Sequence, residues 1–146
     1  MIARQTIVVD ASKSMLGSKN WDISSERLSE DKKVKFEKNE KKDALFIYEM
    51  LKAGKVEGIL QGSGKPYTPL QWINKEVPDI SYIGDGIDGL NKCWPGDIVT
   101  DGNHMGIITA PQKTINISEK TNTIVEDNWG WRKKDFPKVK IFRYEP

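Results

Sequence analysis

The chain carries one imidazole and one thiol, His104 and Cys93, so any nucleophilic or acid–base chemistry must be built from few special side chains. A structural zinc site needs about four nitrogen or sulfur ligands, which this pair cannot supply alone, and a single cysteine excludes an intramolecular disulfide. His104 opens the run His104-Met-Gly-Ile-Ile108, across a tight turn from Pro95-Gly-Asp-Ile-Val99. Cys93 stands eleven residues earlier, in front of Trp94-Pro95. A reactive thiolate needs a helix N-terminus or a neighbouring cation, so a loop cysteine beside Trp reads first as a half-buried small hydrophobe and only second as a nucleophile. Gly84-Asp-Gly-Ile-Asp-Gly89 offers alternating carboxylates to calcium, yet it lacks the closing bidentate Glu of an EF-hand and reads as a turn. Gly62-Ser-Gly-Lys65 lacks the spacing of a phosphate-binding loop. No metal and no cofactor is expected.

The elements that must position these residues follow from periodicity. Residues 6–16 read as a short helix stopped by Gly17, and 24–42 as a solvated loop or frayed helix. The clearest helix runs from Asp43 to Gly54: Phe46, Ile47, Met50 and Leu51 make one buried stripe that, followed back a turn, reaches Asp43 with Ala44 beside it. Residues 55–79 read as loop with a short helix over 70–75 that buries Trp72, and 84–89 as a turn-rich connector. After Cys93 the pattern changes to strands: 97–100 and 104–109 form a hairpin about Asp101-Gly-Asn103, followed by strands over 114–118, 123–126 and 139–144. Helices first and an antiparallel sheet second predict an α+β fold.

At 146 residues, 37% hydrophobic and 30% charged, the chain fits a single domain over 1–146 and falls outside the disordered class. A net charge of +2 gives no electrostatic case for nucleic acid. No stretch approaches the ~18 apolar residues of a membrane span, and the N-terminus Met1-Ile-Ala-Arg-Gln-Thr-Ile-Val-Val-Asp10 does not read as a secretory signal.

Three ordered motifs, Pro95-Gly96-Asp97-Ile98-Val99, His104-Met-Gly-Ile-Ile108 and Ile124-Val-Glu126-Asp-Asn128-Trp129, resemble the cell-wall cysteine hydrolases of the CHAP and NlpC types. Upstream, Lys42-Asp-Ala-Leu-Phe-Ile-Tyr-Glu-Met-Leu51 looks like the helix that in those families opens with the catalytic Cys. Asp127-Asn-Trp-Gly-Trp-Arg132 resembles a subset found among secreted antibacterial effectors. The resemblance implies a papain-like fold, with N-terminal helices on a twisted antiparallel sheet, and cysteine-type hydrolysis of amide bonds in the stem peptide of peptidoglycan. In such a site a thiolate at a helix N-terminus pairs with a His that carries the proton to the leaving amine, and a polar residue on the neighbouring strand orients the ring. Carried over, His104 is the general acid/base, Glu126 and Asn128 are the orienting candidates on one face of a strand, and Trp129 lies at the cleft edge against substrate.

This chain departs from the pattern at the nucleophile. Matching Phe46-Ile47 to the family's Phe-Val puts that position at Asp43, and matching an Asp-Cys opening puts it at Ala44. Neither a carboxylate nor a methyl group replaces a thiolate in amide hydrolysis, so the chain as written should be inactive, through an engineered Cys→Ala at 44 or natural loss of the nucleophile. The expected setting is an antibacterial toxin made in the cytoplasm and delivered to a target periplasm without a cleaved signal, with a cognate immunity protein as partner. The alternatives are a catalytically dead domain that binds cell-wall peptide or a protein, and acyl transfer or deamidation of a protein by the same fold.

Overall fold

The structure, a computed structural model, describes residues 3–28, 35–56 and 59–144. Residues 29–34, part of the expected loop or frayed helix over 24–42, lie outside them. Alternating apolar residues in the second half of the chain build one six-stranded antiparallel sheet, in the order β3 (Ile80–Asp85), β8 (Lys140–Tyr144), β4 (Ile98–Thr100), β5 (Met105–Ala110), β6 (Lys113–Ile117), β7 (Ile124–Asp127). The period of two shows directly in the packing. Ile98, Ile107, Ile115 and Phe142 face one hydrophobic cluster, while their neighbours Val99, Ile108 and Ile141 face a second with Trp129, Trp131 and Val139. The sheet is therefore covered on both faces, which is why β4 and β5 are apolar almost throughout.

The larger cluster is closed by helices α1 (Ala3–Ser14) and α2 (Asp43–Ala53). Here α2 exceeds the single buried stripe its sequence predicts: every residue from Asp43 to Leu51 is buried, Glu49 included. Sheet strand β5, helix α1 and the segment around Trp21 surround it, leaving no solvated face over its first turns. The short ladder of β1 (Arg27–Leu28) and β2 (Lys35–Phe36), in a region read as loop or frayed helix, is tied to α2 where Arg27 grips Glu49 in two hydrogen bonds of 3.2 and 2.8 Å. Close approach of α1 explains two glycines. A Cβ at Gly54 would lie 2.4 Å from Val8 Cγ2, and Gly96, at φ +97°, could carry one only 2.8 Å from Gln5 Cβ.

The expected connector at 84–89 lies within regular structure over 80–92. These residues form edge strand β3 and helix α4 (Gly86–Lys92), and the strand pairs with β8 far along the chain. α3 (Pro69–Ile73) carries a reciprocal Thr68/Gln71 capping box and buries Trp72 against Phe142. The chain is thus an α+β protein, and no helix among the described residues is long and apolar enough to cross a membrane.

Candidate functional site

The start of α2 meets the turn between β4 and β5. Asp101 accepts hydrogen bonds from the backbone N–H groups of Asn103 (2.9 Å) and His104 (2.7 Å), and the Thr100 hydroxyl donates to the His104 carbonyl at 2.8 Å. This polar turn fixes the backbone from which the imidazole projects. The ring is 3% exposed and lies edge-on to Trp129, centroids 4.5 Å apart.

Both ring nitrogens are engaged. Nε2 lies 2.9 Å from Asn116 Oδ1 on β6. The amide nitrogen of Asn116 donates to Asp127 Oδ1 at 2.8 Å and to the Thr114 hydroxyl at 3.3 Å, and that hydroxyl donates in turn to the Trp129 carbonyl. With two acceptors on its nitrogen side, Asn116 must present its oxygen to the ring, so His104 carries a proton on Nε2 and turns Nδ1 towards α2. There Asp43 Oδ2 stands 2.6 Å away. The approach lies off the N–H axis, so neither atom makes a well-aligned hydrogen bond; it is a contact of charges. Burial alone would pull the His104 pKa down, but the Asp43 carboxylate, aided by Asn116 and by Glu119 at 4.0 Å, outweighs it and the ring holds its proton above the usual histidine range. The N-terminus of α2 favours an anion at Asp43 as well.

Lys42, which precedes the helix, is 1% exposed and belongs to the architecture of the wall. Its ammonium donates to the carbonyls of Glu40 (3.0 Å), Glu37 (3.4 Å) and Ile23 (3.5 Å), binding the preceding segment to the helix start. Burial pushes its pKa down, opposed by the charges of Glu40 and Asp22. Asp43 and His104 then line a pocket of about 370 Å³ with Trp21, Ile117 and Glu119.

The residues singled out from sequence distribute unevenly. Asp43 and His104 come together, whereas Ala44 lines the neighbouring groove instead. Glu126 pairs with Ile115 and accepts a 2.6 Å hydrogen bond from Thr109, on the face of β7 opposite Asp127. Asn128 is exposed in the following turn, its carbonyl accepting from the Trp131 amide. The orienting residue beside His104 is Asn116, and its own anchor is Asp127, one residue out of phase with the expected pair. A slip of one residue along a strand exchanges its faces. Trp129 is 7% exposed and buttresses the imidazole from within the second cluster, not from the cleft edge. Asn116 could have been suspected: it is a polar side chain between Ile115 and Ile117 in a strand, and a buried amide needs partners.

Cys93 ends α4 and packs beside the second cluster, its thiol pushed up by burial and by Asp97. That is the environment of a poor nucleophile. Among the described residues no group of three or more His, Cys, Asp or Glu side chains is placed to hold a metal ion. Comparison with protein-family models, curated proteins and solved structures finds no match to this chain.

Proposed function

We propose that the chain is a papain-like domain of the CHAP/NlpC peptidoglycan amidase kind in nucleophile-substituted form, which binds the cell-wall stem peptide beside Asp43 and His104 and does not cleave it. The observation that carries this reading is the engagement of His104 on both sides: Nδ1 faces the first residue of α2 at 2.6 Å, and Nε2 rests on Asn116 at 2.9 Å. An imidazole so placed has Nδ1 next to whatever side chain residue 43 carries. With a thiol there it could take the thiol proton, deliver it to the leaving amine and leave an acyl thioester for water to hydrolyse, while N–H groups at the helix start face the developing oxyanion. With Asp43 the neighbouring carboxylate favours the protonated ring, and residue 43 offers no thiol for it to activate. Position 43, and not 44, is therefore the one at which the missing nucleophile belongs.

Asp43→Cys is the direct test. Wild-type protein should sediment with purified peptidoglycan sacculi and release no fragments detectable by mass spectrometry. The Asp43→Cys variant should release stem-peptide products, and adding His104→Ala should abolish the release. If wild-type protein stays in the supernatant and folded Asp43→Cys releases nothing, the proposal fails.

A further inference from the structure

A second groove, of about 330 Å³, begins where the first ends. Ala44 and Asn103, the neighbours of Asp43 and His104, line it, and Lys41 lines both pockets. Lys41 spans the boundary, its ammonium donating to the Asn103 carbonyl at 3.0 Å with two N–H bonds to spare. The groove is amphipathic: Lys35, Lys41 and Lys65 face it against one carboxylate, Glu40, over an apolar surface that includes Phe36, Pro69 and Leu70. Leu70, in the first turn of α3 behind the Thr68/Gln71 capping box, is 59% exposed.

These groups are held in place. Leu60 and Pro66 pair across the loop that carries Lys65, and the Gln61 side chain locks that loop by donating to the Pro66 carbonyl at 3.1 Å and to Gln71 at 3.0 Å. Lys35 is shared loosely with Glu26 and Glu37 at 3.6 and 3.7 Å, while Lys41 and Lys65 have no carboxylate partner among the described residues. The first pocket is mixed in charge: Asp43 and Glu119 flank His104, Lys41 reaches it from the shared boundary, and the Lys42 ammonium is turned to backbone carbonyls. The cleft thus runs from an end of mixed charge at the Asp43–His104 pair to a basic, partly apolar end.

From this polarity we infer that the Lys41/Lys65 groove is a subsite for the free carboxylate end of a short peptide with small apolar side chains. The inference rests on the peptide-binding reading above and adds the direction of the ligand. The two lysines meet the carboxylate, Leu70 and Pro69 meet the adjoining methyl groups, and the chain leads back past Ala44 to residue 43.

The probe is an N-acetylated Lys-D-Ala-D-Ala peptide with a free C-terminal carboxylate, compared by calorimetry with the same peptide as its C-terminal amide. The acid should bind the wild-type protein about tenfold more tightly than the amide, and the difference should shrink as salt is raised. Lys41→Gln/Lys65→Gln should erase the preference for the acid, bringing acid and amide to equal affinity, and Leu70→Ser should weaken both peptides. Equal binding of acid and amide, or a preference that survives the double lysine variant, overturns the inference. The sacculus experiments read the proposed function separately: stem peptide released by Asp43→Cys without any acid preference sinks only the subsite, and a lysine-dependent acid preference with inert sacculi sinks only the cell-wall reading.

Discussion

Two buried carboxylate–cation pairs stand at opposite ends of the β4–β5 hairpin, and they are built differently. Asp97, fully buried ahead of β4, takes Arg143 in a two-pronged grip at 2.9 and 2.8 Å and accepts the Trp94 amide at 2.7 Å. Arg143 in turn donates to the Lys92 carbonyl and lies 3.6 Å over the Trp94 ring. Burial pushes the Asp97 carboxyl up despite Arg143, so the pair is kept by its geometry and its many partners more than by net charge attraction. Asp43 and His104 are as deeply buried, yet their 2.6 Å contact is misaligned and opens on a pocket. A pair whose carboxylate accepts three hydrogen bonds and is closed off from solvent is a clasp. A pair left with poor geometry at a pocket wall is a site.

The contrast predicts unequal costs of removal. Asp97→Ala strands a guanidinium with a mostly buried side chain and should lower the unfolding free energy by about 3–5 kcal/mol in urea titrations. Asp43→Ala should cost less, about 1–2 kcal/mol, because His104 can shed its proton and stay bonded to Asn116. Reversal of that order would remove the distinction between clasp and site.

A smaller effect tests the chain of groups behind the imidazole. In the Asp43→Cys background, Asp127→Ala should cut peptide release about tenfold, since an unanchored Asn116 amide can turn its nitrogen towards His104. Asp127→Asn, which keeps an acceptor oxygen, should restore most of the rate. Loss of stability without loss of rate would make Asp127 another clasp, as Asp97 is.

How much of this was legible depends on range. The β4–β5 hairpin and helix α2 declare themselves through local periodicity and turn chemistry, and they happen to carry both halves of the Asp43–His104 pair. Strand β3 does not: Ile80-Ser-Tyr-Ile-Gly-Asp85 is a half-exposed edge with a bulge, and only its pairing with β8 reveals it. Asn116 was hidden for a related reason. Its importance comes from lying opposite Gly106 on β5, a cross-strand relation that sequence spacing does not display. Parity misled the reading of β7, where the Glu126/Asn128 choice and Asp127 differ by a single residue and hence by a whole face of the sheet.

The last difference between the two pairs is in their response to alkali. Because the His104 pKa is raised on folding, the pair stabilises fully below the ordinary histidine range and loses that contribution as pH climbs through the folded value. Thermal midpoints of the wild type should therefore fall from neutral into mildly alkaline pH. In Asp43→Asn the carboxylate that outweighed burial is gone, so the titration moves to the acid side and this decline disappears. Cys93, whose thiol burial pushes up, titrates in both proteins and cancels in the difference curve. Parallel profiles for the two proteins would mean that Asp43 does not hold the proton on His104, and the site would then have to be rebuilt around a neutral ring.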